Sequence, residues 1–150
     1  MTSTRRVLLA RPHAFIVDQM KPFLTDAGFA PEAANTLADV GARSAATRGA
    51  IISTAVVSSV AADAATVFAE LRRASPRLPV LFAGLTDLDM MKAAVLRIVR
   101  PLHPDAEVVG IDEAEQARLG SANVFVVLRK EDLAPGKVDT AISVLQRHFA

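Results

Sequence analysis

The chain has 150 residues, 51% of them apolar, with 17 Lys and Arg against 16 Asp and Glu for a formal charge of +1. That length suits one domain with a real core and is tight for two, so a single compact unit over residues 1–150 is expected. Balanced charge without a long single-sign tract argues against disorder and gives no support to nucleic acid as a partner; the absence of cysteine removes disulfides, thiolate zinc sites and cysteine nucleophiles, and makes a reducing cytoplasm the expected location.

The stretch STRRVLL has an echo of a twin-arginine export signal, but its apolar run breaks at Arg11 and no small-residue cleavage site follows, so it reads as a first strand, Val7 to Ala10. A helix follows from about Ala14 to Ala27, with Phe15, Met20, Phe23 and Leu24 at apolar positions and Gly28 as its stop; Pro22 inside it predicts a kink or a lost hydrogen bond. FAPEAAN reads as a short second strand suited to a sheet edge because Pro31 donates no ladder bond. TLADVGARSAATR reads as a second helix and GAIISTAVV as a β-branched third strand. The uncharged run GAIISTAVVSSVAA is about fourteen residues, short of the roughly twenty that cross a bilayer, so no membrane association is expected.

Asp63 is placed to start a third helix carrying Val67, Phe68 and Leu71, which ends at SPRLP. PVLFAGL is strand four. Thr86 or Asp87 then opens a helix with a stripe of Leu88, Met91, Val95 and Ile98 or Val99. AEVVGI and NVFVVL are two further strand candidates around the short helical DEAEQARL, and PGKVDTAISVLQRHF closes as a helix with Pro135 near its start. Apolar runs of strand length alternating with helical segments are the signature of a parallel sheet covered on both faces.

The order of these elements resembles the receiver domain of bacterial response regulators, a flavodoxin-like doubly wound fold. The stretches that carry the resemblance are RVLLARPHAFIVDQMKPFLTDAGF, similar to the family's strand one and helix one, and AELRRASPRLPVLFAGLTDLD, similar to its helix three, strand four and following turn. It covers roughly residues 5–100. Beyond that, AEVVGI stands at the usual spacing for strand five, whereas NVFVVLRK better matches that strand and its following lysine. One alignment adds a strand and helix at the end; the other places an insertion within residues 101–130. The expected fold is therefore an α/β doubly wound parallel sheet of five or six strands with helices on both faces.

The resemblance implies an acidic pair after strand one that holds magnesium, an aspartate at the end of strand three that accepts phosphate, a hydroxyl after strand four and a lysine after strand five. Magnesium wants carboxylate oxygens in near-octahedral geometry and helps neutralise the transferring phosphoryl group. Against this pattern, Arg11 and Pro12 stand where the acidic pair belongs, His13 follows, and no carboxylate precedes Asp18. None occurs from Val40 to Ala62 either, where spacing puts the acceptor near Val56 or Val57. The hydroxyl is lost at Ala83 or Gly84, with Thr86 close by, and Lys130 alone matches, without the proline that commonly follows it. A degenerate receiver is expected, with no enzymatic activity, no metal and no cofactor.

Arg11, His13, Arg129 and Lys130 would converge at the carboxyl edge of the sheet under the insertion alignment, making a pocket for a small anion or nucleotide; the plainer reading is four solvated charges on loops. Neither a GxGxxG nor a Walker-type loop is present. Ser53, Thr54, Ser58 and Ser59 read as hydroxyls that satisfy local backbone, since no G-x-S-x-G elbow surrounds them. His13, His103 and His148 lack metal-ligand spacing, and Asp105, Asp112, Glu113 and Glu115 read as a loop and a solvated helix face. In the family, the helix at Met90–Val99, the next strand and the last helix form a dimerisation and docking surface. Lys92, Arg97 and Arg100 are accordingly the candidate partner surface, suited to an acidic protein or a second copy of the chain. The expected function is a phosphorylation-independent signalling adaptor that binds protein; a small-anion sensor is the alternative, and a small flavodoxin-like enzyme is least favoured because no acid, base and nucleophile assemble.

Overall fold

The computed structural model describes residues 5–11, 14–54, 62–116 and 118–150. In chain order the elements are β1 (Arg6–Arg11), α1 (Ala14–Asp26), β2 (Ala30–Ala33), α2 (Leu37–Ser44), β3 (Gly49–Ser53), α3 (Ala64–Ala74), β4 (Val80–Gly84), α4 (Leu88–Val99), β5 (Glu107–Gly110), a 3-10 helix (Ile111–Gln116), β6 (Val124–Arg129), a second 3-10 helix (Lys130–Leu133) and α5 (Val138–His148). The six strands form one sheet in the order β2-β1-β3-β4-β6-β5, parallel at every pairing. The chain steps from β1 outward to β2 and then crosses back to β3 on the other side of β1. That reversal leaves a crevice at the carboxyl ends of β1 and β3, the place where open α/β sheets bind ligands.

The strands are continuously apolar because both faces are covered, and their alternate residues feed two cores. Val7, Leu9, Ile51, Leu81 and Val126 pack with Met20, Phe23 and Leu24 of α1 and Val144 and Leu145 of α5. Leu8, Ile52, Phe82, Phe125 and Val127 pack with Val40 of α2, Phe68 and Leu71 of α3, and Met91 and Val95 of α4. The doubly wound fold expected from the sequence is therefore the observed one. β6, not β5, pairs with β4 and occupies the fifth-strand place, while β5 is added outside it at the margin. This is the insertion alignment, with six strands.

Local chemistry sets the element ends. α2 opens on a capping box, the Thr36 hydroxyl accepting from the Asp39 amide at 3.2 Å and the Asp39 carboxylate accepting from the Thr36 amide at 3.3 Å. Asp63 caps α3 through the Thr66 amide at 2.7 Å, and Asp87 rather than Thr86 caps α4 through the Met90 amide at 2.9 Å. α1 runs through Pro22 without a break, forgoing the one bond proline cannot donate. It ends in a Schellman turn at Gly28 (φ +91°), with Phe29 N–H to Leu24 O at 2.8 Å and Gly28 N–H to Thr25 O at 3.0 Å. α5 starts at Val138, later than the sequence suggests, because Gly136 (φ +90°) turns the chain after Pro135. Among the described residues no helix is long and apolar enough to cross a membrane.

Candidate functional site

The crevice at the ends of β1 and β3 is occupied by Arg11. Its side chain is buried, 5% exposed, with Nε donating to the Ala62 carbonyl and Nη1 to the Ser53 carbonyl, each at 2.9 Å. Burial pulls the guanidinium below its ordinary pKa, and the nearby Asp63 carboxylate opposes that pull. Asp63 is itself held below the usual carboxylate range, first by its bonds from Thr66 and further by Arg11. The solvated reading of Arg11 is thereby corrected: carbonyls that converge at the crevice supply the partners that make burying a charge tolerable.

β3 ends at Ser53, so the first position past the strand is Thr54 and not Val56 or Val57, which lie outside the described residues together with Pro12, His13, Ser58 and Ser59. The Thr54 amide donates to the Ala83 carbonyl at 2.9 Å, and its hydroxyl lies 3.4 Å from the same oxygen. Opposite it, Gly84 ends β4. A Cβ at Gly84 would collide with the Thr54 hydroxyl and stand 2.8 Å from Met91 Cε, so glycine is what lets Thr54 and α4 close over the strand end.

Arg129 pairs with Gly84 across β4 and β6. β3 and β4 lie between β1 and β6, so the backbones carrying Arg11 and Arg129 are three strand spacings, about 14 Å, apart. Their guanidinium groups diverge as well. Arg129 reaches Glu131 at 3.0 Å and Asp132 at 3.7 Å in the second 3-10 helix, while its amide donates to Asp132 at 2.8 Å. Lys130 begins that same turn and is exposed. Among the described residues no group of three or more His, Asp or Glu could hold a metal ion.

The candidate partner residues divide into two sets. Lys92 points to the added margin, 3.0 Å from Glu113 Oε1, and Glu113 also accepts the Gly110 amide at 3.0 Å. Both bonds hold the Glu113 carboxyl below its usual range, that from Gly110 contributing most. Arg97 and Arg100 instead line a shallow cavity of about 590 Å³ with Ala93, Leu96 and Pro101 on the outer side of α4. Exposed Met90 precedes them and exposed Leu102 follows.

At the opposite, amino-terminal edge lies a polar network that sequence reading missed. Arg72, 7% exposed, donates from Nε to His103 Nε2 at 2.9 Å, from Nη1 to the Leu78 carbonyl at 2.7 Å and the Ser75 carbonyl at 3.3 Å, and from Nη2 to the Ala122 carbonyl at 2.8 Å. Its guanidinium also stands 5.2 Å from the Phe68 ring centroid and 5.7 Å from that of Phe125. Burial lowers its pKa to about 10, which leaves it charged at neutral pH. Because His103 Nε2 accepts, the ring proton sits on Nδ1 and is donated to Asn123 Oδ1 at 3.2 Å. His148, fully buried, accepts the Gly120 amide at Nδ1 and donates from Nε2 to the Val80 carbonyl, each at 3.0 Å. These groups hold the segment that returns from the inserted elements into β6, a structural role that histidine spacing alone could not signal.

No protein-family model matches the sequence, and no curated protein matches it. Solved structures do. A response regulator receiver protein from Sinorhizobium medicae WSM419 superposes with a TM-score of 0.59 at 17% identity, over 98% of this chain and 95% of that one. NtrX from Brucella abortus superposes with a TM-score of 0.62 at 15% identity, over 98% of this chain and 28% of that one; its complex with ATP gives 0.60 at 17%. The chain has the fold of a response-regulator receiver domain, and at these identities the likeness is one of fold.

Proposed function

We propose that the chain is a degenerate receiver, a signalling module that works by binding protein and without aspartyl phosphorylation. The observation that carries this reading is the buried guanidinium of Arg11 at the switch point. A divalent cation at that crevice would need carboxylate oxygens, and the sequence has none before Asp18 and none between Val40 and Ala62. A positive charge already sits there, and the adjoining strand ends present Thr54 and Gly84 in place of a phosphoryl acceptor and a free hydroxyl. Phosphoaspartate chemistry would need an acidic pair to hold a metal and an acceptor aspartate, and those two stretches of sequence offer neither.

Partner binding is assigned to the outer face of α4 around Arg97 and Arg100, where two cations border an apolar cavity and suit an acidic protein segment. Lys92 belongs to the intramolecular pair with Glu113 and is left out of that surface. The anion-pocket alternative finds no support in a geometry that directs Arg11 and Arg129 to separate partners. The deciding experiment adds beryllofluoride and magnesium to the labelled protein and follows its amide spectrum. Unchanged resonances at Ser53, Thr54, Gly84 and Arg129 are expected; saturable shifts at those positions would refute the phosphorylation-independent reading. Arg97→Glu with Arg100→Glu should abolish capture of an acidic partner, and capture that survives the double reversal removes α4 as the docking face.

A further inference from the structure

Arg11 is set up by more than its bonds to Ser53 and Ala62. β1 changes register against β3 just before it, Leu9 standing opposite Ile51 and Arg11 opposite Ile52, so Ala10 is an extra residue on β1. A bulge of this kind bends its strand and re-aims the side chain that follows. Alternation from Val7 and Leu9 would send Arg11 toward the layer of α1 and α5. Its guanidinium instead reaches across the crevice to the Ser53 carbonyl at the end of β3 and the Ala62 carbonyl just before α3. The next residue, Asp63, is the N-cap of α3, and its carboxylate and Arg11 attract one another. Carbonyls, a helix cap and a bulge thus converge on one planar fork, whose two donating edges fix direction in a way an ammonium group cannot copy.

We propose that Arg11 is a positioning residue that serves as the chain's own cation at the switch point, pinning the first turn of α3 to the carboxyl ends of β1 and β3. The start of α3 then depends on a covalently attached charge and is indifferent to divalent cations in solution. The bonds of Arg11 carry this independently of whether the module docks a partner protein.

Native-state hydrogen exchange of Arg11→Ala and Arg11→Lys tests it at the amides of Thr66 and Val67, which are bonded to the Asp63 side chain and carbonyl at 2.7 and 3.0 Å. In Arg11→Ala both should exchange about tenfold faster or more while the amides of β6 and α5 keep their rates, and Arg11→Lys should recover only part of the protection. Ethylguanidinium, added below denaturing concentration, should restore protection in Arg11→Ala and do nothing in the wild type. Unchanged rates at Thr66 and Val67 overturn the proposal, as does full protection in Arg11→Lys, which would reduce the fork to a mere charge. A uniform rise across the whole chain without rescue also overturns it, because that marks general stability and not positioning. Should Arg11→Ala fail to fold, Arg11→Gln, which keeps one donor group, is read at the same amides against the same outcomes. A response to beryllofluoride would refute the phosphorylation-independent reading and leave these exchange rates as they are, so the two failures are distinguishable.

Discussion

Gly84 shows how the end of a strand sets a packing requirement. With the Thr54 side chain and Met91 Cε closing over its Cα, any side chain at position 84 must displace one of them. Gly84→Ser should therefore lower stability by about 1–3 kcal/mol in urea unfolding, as overpacking commonly does. Paired with Thr54→Ala, which opens that space, the same substitution should lose much of its cost; an additive double mutant would show that the two positions do not touch. Arg11 belongs to the same logic. Its type and place are readable in the sequence, but its burial is not, because its partners include the Ser53 and Ala62 carbonyls, 42 and 51 positions away. Arg72 and His103, brought together from α3 and the turn after α4, were illegible for the same reason: long polar side chains reveal their partners only once the sheet has assembled.

Elements were more legible than contacts because their signals are local. The cap at Asp63 and the stop at Gly28 each act within a few residues, and each is where the sequence suggested. Where the signal was ambiguous, topology decided. AEVVGI and NVFVVL are equally good strands by composition, and pairing with β4 settles that the second is the inner one. β3 ends at Ser53 although the apolar sequence continues past it, because composition does not mark where a ladder stops. The Gly28 turn makes a prediction at this scale. Gly28→Ala finds no steric obstacle, since no atom lies within 4 Å of a Cβ there, yet it forces an L residue to a φ of +91°. A cost of about 1 kcal/mol is expected from backbone strain alone, and Gly28→Asn should recover part of it because asparagine tolerates that region. Equal losses for the two variants would locate the cost elsewhere.

Across the whole molecule, ionisable groups are buried at both ends of the sheet, with Arg11 at the carboxyl edge and Arg72 and His148 at the amino edge, where half-buried His103 bonds to Arg72. The histidines make stability depend on pH. Burial, aided by the charge of Arg72, pushes His148 down from 6.5 to about 4, against the bond to the Val80 carbonyl, and His103 is lowered by burial and by Arg72. In the unfolded chain both take up protons near 6.5, so between that pH and the folded values the unfolded state binds more protons and stability falls as pH falls. For His148 alone the loss is about 3 kcal/mol by the time pH reaches about 4. Denaturant unfolding at pH 7, 5.5 and 4 should show the decline, and His148→Gln should flatten it; a profile unchanged by that substitution would assign the acid sensitivity to other groups. Asp63, Asp39, Glu70 and Glu113, all below the usual carboxylate range, add their own losses further into acid.

The bond from the Gly110 amide to Glu113 bears on how the molecule behaves in company. A parallel sheet has two raw margins, each able to recruit a strand from a neighbour and grow into an aggregate. Here β2 at one margin carries Pro31, which has no N–H to offer, and β5 at the other gives its last amide to Glu113, whose carboxylate Lys92 holds in place. Both borders are blunted from within the chain, so crowding that would zip bare edges together meets a proline on one side and an ion pair on the other.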